Sequence, residues 1–167
     1  MDAMLIDFSD ADESQSWMAI NDTVMGGRSQ SRLELSPAAT GLFSGQLSLD
    51  NNGGFASIRR RPDHYNLGAY AGVMLKFKGD GRTYQFRVKT DDQLDGTAYR
   101  ALFATDTRQW QIIALPFDSF SASFRGKPVA DAPVLRPGQI RQIGFLLADK
   151  QPGSFCLEIA WIKCFQA

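Results

Sequence analysis

The 167-residue sequence predicts an antiparallel β-sandwich of the jelly-roll kind. Three observations predict it. Apolar and polar residues alternate with period two in one segment after another. Turn signals rich in Asn, Gly and Pro separate these segments, giving roughly eight to ten short strands. No helical pattern of ten or more residues occurs anywhere. Some connections are long, which favours a jelly roll over an up-and-down barrel. The length fits one domain over residues 1–167, large enough to bury its own core.

The elements follow in order. Residues 4–8 form a short apolar run suited to an edge strand, and residues 10–16 make an acidic loop leading to Trp17. Residues 17–31, WMAINDTVMGGRSQS, combine a large aromatic, an Asn-Asp pair and a glycine doublet. Gly26 and Gly27 imply a positive-φ bend or a close approach to the backbone, while Asn21 and Asp22 have side chains that cap neighbouring amides. In residues 28–35, Arg32 and Glu34 are expected outward, with Leu33 and Leu35 inward. Residues 42–49 read as a strand interrupted by Gly45, and Asn51-Asn52-Gly53-Gly54 as a tight reversal into residues 55–61. Val73, Leu75 and Phe77, then Tyr84, Phe86 and Val88, alternate on either side of Gly79-Asp80-Gly81, predicting a hairpin with one solvated face. Tyr99, Ala101 and Phe103 form the next inward set, followed by Trp110, Ile112 and Ala114. Phe117, Phe120 and Phe124 have the spacing of one or two helical turns over an apolar surface. A proline-rich loop then leads to two alternating strands, Ile143-Phe145-Leu147 and Phe155-Leu157-Ile159-Trp161.

Charge narrows the function. With 18 basic and 18 acidic residues the chain has no global pull on nucleic acid or on an anionic membrane. No apolar run reaches the length of a membrane span. The N-terminus has acids where a secretory signal would be basic, so a cytoplasmic protein is expected. Cys156 and Cys164 fall in one strand, about 26 Å apart at 3.3 Å per residue. A disulfide spans roughly 4.4–6.8 Å between Cα atoms, so two free thiols are expected. The lone histidine, His64, sits in a polar loop, and no CxxC spacing exists, so neither a metal site nor a cofactor is expected.

Trp17 followed by NDTVMGGRSQS, then LFSGQLSLDNNGGFASIR, resembles the complex I intermediate-associated protein family. The likeness continues through GDGRTYQFRV, YRALFAT, WQIIALPFDSFSASFRG and IGFLLADKQPGSFCLEIAWI, and so runs along nearly the whole chain. It implies a galactose-binding-domain-like sandwich and a non-enzymatic, chaperone-like role in building respiratory complex I. Some plant relatives join the domain to a dinucleotide-binding unit, but this chain has no GxGxxG after a strand. The family supplies no catalytic residues to carry over.

Three classes of function remain. An enzyme is disfavoured: Asp22, Asp50, Asp80 and Asp149 all lie in turns, where Asp is common for local reasons. A carbohydrate or small-ligand module would draw on Trp17, Asn21, Asp22, Asn52, Arg59, Arg100 and Trp110, set among Met25, Gly26, Gly27, Gly53 and Gly54. Against it, burial asks for the same residues, with Asp22 as an amide cap or as the partner of Arg59 or Arg100. A protein-binding or assembly module is preferred, with Phe117, Phe120, Phe124 and Arg125 as an aromatic anchor or as a lid on the sandwich. Its partner would be another protein, such as respiratory-complex subunits or assembly intermediates.

Overall fold

The computed structural model describes residues 2–91, 96–107 and 109–166, with the Val24 and Met25 side chains outside the described set. Its strands, in chain order, are β1 Asp2–Asp7, β2 Trp17–Ala19, β3 Gln30–Leu35, β4 Gly41–Leu47, β5 Ala56–Arg60, β6 Gly72–Lys78 and β7 Thr83–Lys89. There follow β8 Ala98–Ala104, β9 Trp110–Pro116, β10 Ser121–Phe124, β11 Lys127–Pro128, β12 Gln142–Leu147 and β13 Gly153–Phe165. They build two antiparallel sheets. The first runs β3-β4-β13-β6-β9 with β1 also on β13; the second runs β11-β10-β8-β7-β12-β5-β2. The jelly-roll-like sandwich that the alternation predicts is the fold observed.

The core lies between the sheets and is mostly aromatic. Val73, Leu75 and Phe77 of β6 and Phe43 of β4 face Tyr84 and Phe86 of β7, Phe103 of β8 and Phe145 of β12, all buried. Rings meet across the sandwich, Phe77 on Phe103 at 4.9 Å and Phe43 on Tyr84 at 6.1 Å. Such tilted and edge-on pairs add to the stabilisation from burying their area.

Strand β13 organises the first sheet. Its first half pairs with β4, from Gly153 opposite Leu47 to Ile159 opposite Gly41. Its second half pairs with β1, with Asp2 opposite Phe165, while β6 lies on the other edge. Cys156 and Cys164 both sit on β13 as free thiols.

Several expectations need correction. Strands β6 and β7 do not form a hairpin; they belong to opposite sheets. The Gly79–Gly81 bend crosses the sandwich, held by Asp80, whose carboxylate accepts from the Arg82 amide, the Tyr84 hydroxyl and the Cys156 amide. Both strands bury alternate residues on one core, so their pattern is the same whether they pair or face each other. The second side of β7 is not fully solvated either, since Gln85 and Lys89 are buried. In β9 the parity is reversed: the register puts Gln111, Ile113 and Leu115 opposite Phe77, Leu75 and Val73. Trp110, Ile112 and Ala114 therefore point outward, and Trp110 and Ile112 are 42% and 60% exposed. Leu35, at the end of the edge strand β3, is exposed rather than inward. Phe117–Ser119 is a single 3-10 turn, after which Phe124 ends strand β10, so no longer helix forms.

Candidate functional site

The glycine-rich loops meet around one carboxylate. Asp22 opens a 3-10 turn, Asp22–Met25, and is fully buried. Its Oδ1 accepts from the Ser29 amide at 2.9 Å, and its Oδ2 from the Ser29 hydroxyl at 2.7 Å and the Gly54 amide at 2.8 Å. The Phe55 amide lies at 3.3 Å. Burial by itself would raise the carboxyl pKa; the hydrogen bonds from Ser29, Gly54 and Phe55 outweigh it and hold the group below the usual aspartate range. The expected amide cap is present; among the described residues no ion pair joins Asp22 to Arg59 or Arg100.

Glycines make room for this carboxylate. A Cβ on Gly27 would run into the Asp22 carboxyl group, and one on Gly53 would stand 2.5 Å from Asp22 Oδ2. Gly53 has φ −71°, so its need for glycine is steric and not the positive φ expected from its turn. Gly26 has φ +90° and open space around it, a purely conformational requirement. The neighbouring Asn21 Oδ1 accepts from the Ser31 hydroxyl of β3 and the Ser57 amide of β5, which joins the two sheets. Asn51 donates to the Gly26 carbonyl at 3.1 Å, linking the two loops, while Asn52 is exposed at positive φ.

Trp17 belongs to the core. It packs between Phe8 and Phe145, and its Nε1–H donates to Glu13 at 3.0 Å. Glu13 also pairs with Arg60 at 2.7 Å. Trp110 is on the outer face of the other sheet, beneath the Lys76 ammonium at 5.8 Å. The aromatic residues expected in one platform are thus separated. Phe117 is buried and packs at a tilt against Phe120 at 5.7 Å, and Phe120 meets Phe86 at 6.2 Å. These two cover the sandwich; Phe124, with Arg125 at 5.2 Å, stays at the surface.

Arg59 and Arg100 do come together. Ile58, Phe86 and Ala101 face the core, so Arg59, Arg87 and Arg100 project from the outer face of the second sheet. The registers place Arg59 beside Gly144, Gly144 beside Arg87, and Arg87 beside Arg100. Ser121 continues the row next to Arg100. All three arginines are half-buried, and Lys89 and Gln142 are buried one row away. Burial, and then the charges of Arg59 and Arg100, push the Arg87 guanidinium down to about 10. Arg87 is missed by sequence reasoning, which places it on an ordinary solvated face. Its convergence with Arg59 and Arg100 depends on strand order, which no local pattern contains.

The family model described as Complex I intermediate-associated protein 30 matches residues 6–159. Complex I intermediate-associated protein 30, mitochondrial, of Drosophila melanogaster is 29% identical over 95% of this chain and 61% of its own length. The Mus musculus protein of the same name is 28% identical over 95% of this chain and 54% of its own length. The chain thus spans between half and two thirds of these relatives. Their names overturn the expectation of a cytoplasmic protein, because both include "mitochondrial". Among solved structures, a family 11 carbohydrate-binding module from Clostridium thermocellum, in complex with a mixed-linked tetrasaccharide, superimposes with TM-score 0.72. It is 19% identical and covers 99% of this chain and 96% of that one. A family 30 carbohydrate-binding module gives TM-score 0.57 at 14% identity, covering 100% and 99% of the two chains. At these identities the likeness is one of fold.

Proposed function

The chain belongs to the complex I intermediate-associated protein 30 family, and on that premise we propose a non-catalytic binding module that assists assembly of a respiratory complex. It acts in a chaperone-like way, holding a subunit or a partly built intermediate. The observation that carries this reading is the family match over residues 6–159. The outer face of the first sheet supports it. There Trp110, Ile112 and Met4 are exposed among Lys76, Lys78 and Lys163, a mixture of aromatic, aliphatic and cationic side chains suited to a protein partner. Deleting the gene in the organism that carries it is expected to deplete assembled complex I on native gels. Partly built intermediates should accumulate and co-purify with a tagged copy of the chain. Normal complex I in the deletion strain would remove the reading.

A carbohydrate-binding module is the second reading. It rests on the exposed Trp110 ring, the sole member of the expected aromatic platform that is open to a ligand, since Trp17 is buried. Calorimetry and a glycan array with no binding at millimolar saccharide would exclude it.

A further inference from the structure

We infer that the open edge of β9 is a pairing surface for a second copy of this chain, the two β9 strands running antiparallel about a two-fold axis at Ile112. The inference does not rest on the assembly reading, and three observations carry it.

The first is an edge left unguarded. The first sheet ends on β9, and among the described residues no strand lies along its outer side. Exposed edges are ordinarily blunted by charge, proline, a bulge or short length. The other edges show these devices. Strand β3 carries an Arg32–Glu34 ion pair, β1 has a bulge between Met4 and Ile6, β2 is three residues long, and β11 is two residues ending in Pro128. Strand β9, WQIIALP, has no charged residue, and its register with β6 holds without a shift from Trp110 to Pro116. Its inward-facing Gln111 and Ile113 are only half-buried, whereas Phe77 and Leu75 beside them are fully buried, so this margin of the sandwich is incompletely covered.

The second is the set of backbone groups the edge presents. The Phe117 amide donates to the Ala71 carbonyl at 2.8 Å. Bonds of an antiparallel ladder recur at every second residue, so Leu115, Ile113 and Gln111 turn their backbone groups to β6, while Ala114, Ile112 and Trp110 turn theirs outward. Pro116 falls on the outward parity, where its missing N–H costs the sheet no bond. Its carbonyl accepts from the Ser119 hydroxyl at 2.6 Å, so the open row runs from Trp110 to Ala114.

The third is self-complementarity. A two-fold axis at Ile112 sets that residue opposite its own copy and sets each Trp110 opposite the Ala114 of the other copy, a large ring against a small side chain. Three outward residues in each copy supply about six main-chain hydrogen bonds across the junction. No charges collide there: the two Lys76 side chains, each one strand in from Ile112, lie about 14 Å apart, beyond the screening length of about 8 Å at physiological salt. Such an isologous contact consumes the edge and stops at a dimer. It also joins the exposed Trp110 and Ile112 of both copies into one face.

The test is sedimentation velocity of the full chain, with cysteine cross-linking to fix the register. The mass should rise with concentration from 18.5 kDa towards twice that value. Ile112→Lys alters an exposed side chain and sets two ammonium groups opposite each other, so it should remain monomeric with a nearly unchanged Tm. Ile112→Pro removes only an outward amide and should also remain monomeric; if it does not fold, Ile112→Lys decides. In a Cys156→Ser background, Ile112→Cys should oxidise to a covalent dimer, because directly opposed Cα atoms lie about 5.5 Å apart, within disulfide reach. Ala114→Cys should not, because its two copies would stand about 14 Å apart along the strands. A native chain that stays at 18.5 kDa at every concentration overturns the proposal and leaves the edge to a strand of another protein. A dimer that survives Ile112→Lys, or that cross-links through Ala114→Cys as readily as through Ile112→Cys, overturns it as well.

Discussion

Asp22 accepts four hydrogen bonds within a fully buried setting, and its removal is expected to orphan the Ser29, Gly54 and Phe55 amides together. Asp22→Ala should cost roughly 2–4 kcal/mol in a denaturant titration. Because the folded carboxyl has a lowered pKa, its contribution is fully present above the unfolded pKa, and it is lost as pH falls through the folded one. Stability of the native chain should therefore decline below about pH 4, more steeply than that of Asp22→Asn. The glycines around Asp22 separate two physical causes. Gly27→Ala and Gly53→Ala press a methyl group against the carboxylate, whereas Gly26→Ala meets nothing and only strains φ. The first two should each lower stability by about 2 kcal/mol or more, and Gly26→Ala by about 1 kcal/mol. Equal losses at all three positions would mean that the carboxylate does not set the spacing of the loops.

At the level of elements, residue patterns disclosed most strands and few of their neighbours. The inward sets of β6, β7, β8, β12 and the first half of β13 were readable because every second residue faces the core, but a bulge after Ile159 turns Ile162 and Cys164 inward and leaves Trp161 outside. Strand β9, WQIIALP, is apolar at nearly every position, so its parity was fixed only by its register with β6. The β6–β7 bend has the sequence pattern of a hairpin for a related reason: alternation reports a buried face and not which strand lies alongside. The bend is held by Arg82, which donates to Asp149 through Nε and Nη2 at 2.8 Å each and reaches the Ser154 and Gln151 carbonyls. Arg82→Ala is expected to destabilise the fold by about 3 kcal/mol, measured by chemical denaturation, because it leaves the poorly exposed Asp149 carboxylate without its cation. Of the candidate site, Asn21 and Asp22 were legible as residues with bonding to do, since an Asn-Asp pair next to glycines has few other uses. The arginine row was not, because its members lie on β5, β7 and β8 and meet only after β12 has been inserted between two of them.

For the whole molecule, one sheet gathers a cationic row on its outer face while the other presents tryptophan, isoleucine and lysine. A fold shared with carbohydrate-binding modules thus offers two unlike surfaces, and the net charge of zero conceals the contrast between them. Strand β13 has one more consequence, in time. β1 is the earliest of the described strands to be synthesised, and among the described residues its strand partner is β13, the latest of them. β4 and β6 also need β13 between them. A growing chain therefore carries an incomplete first sheet until β13 has left the ribosome.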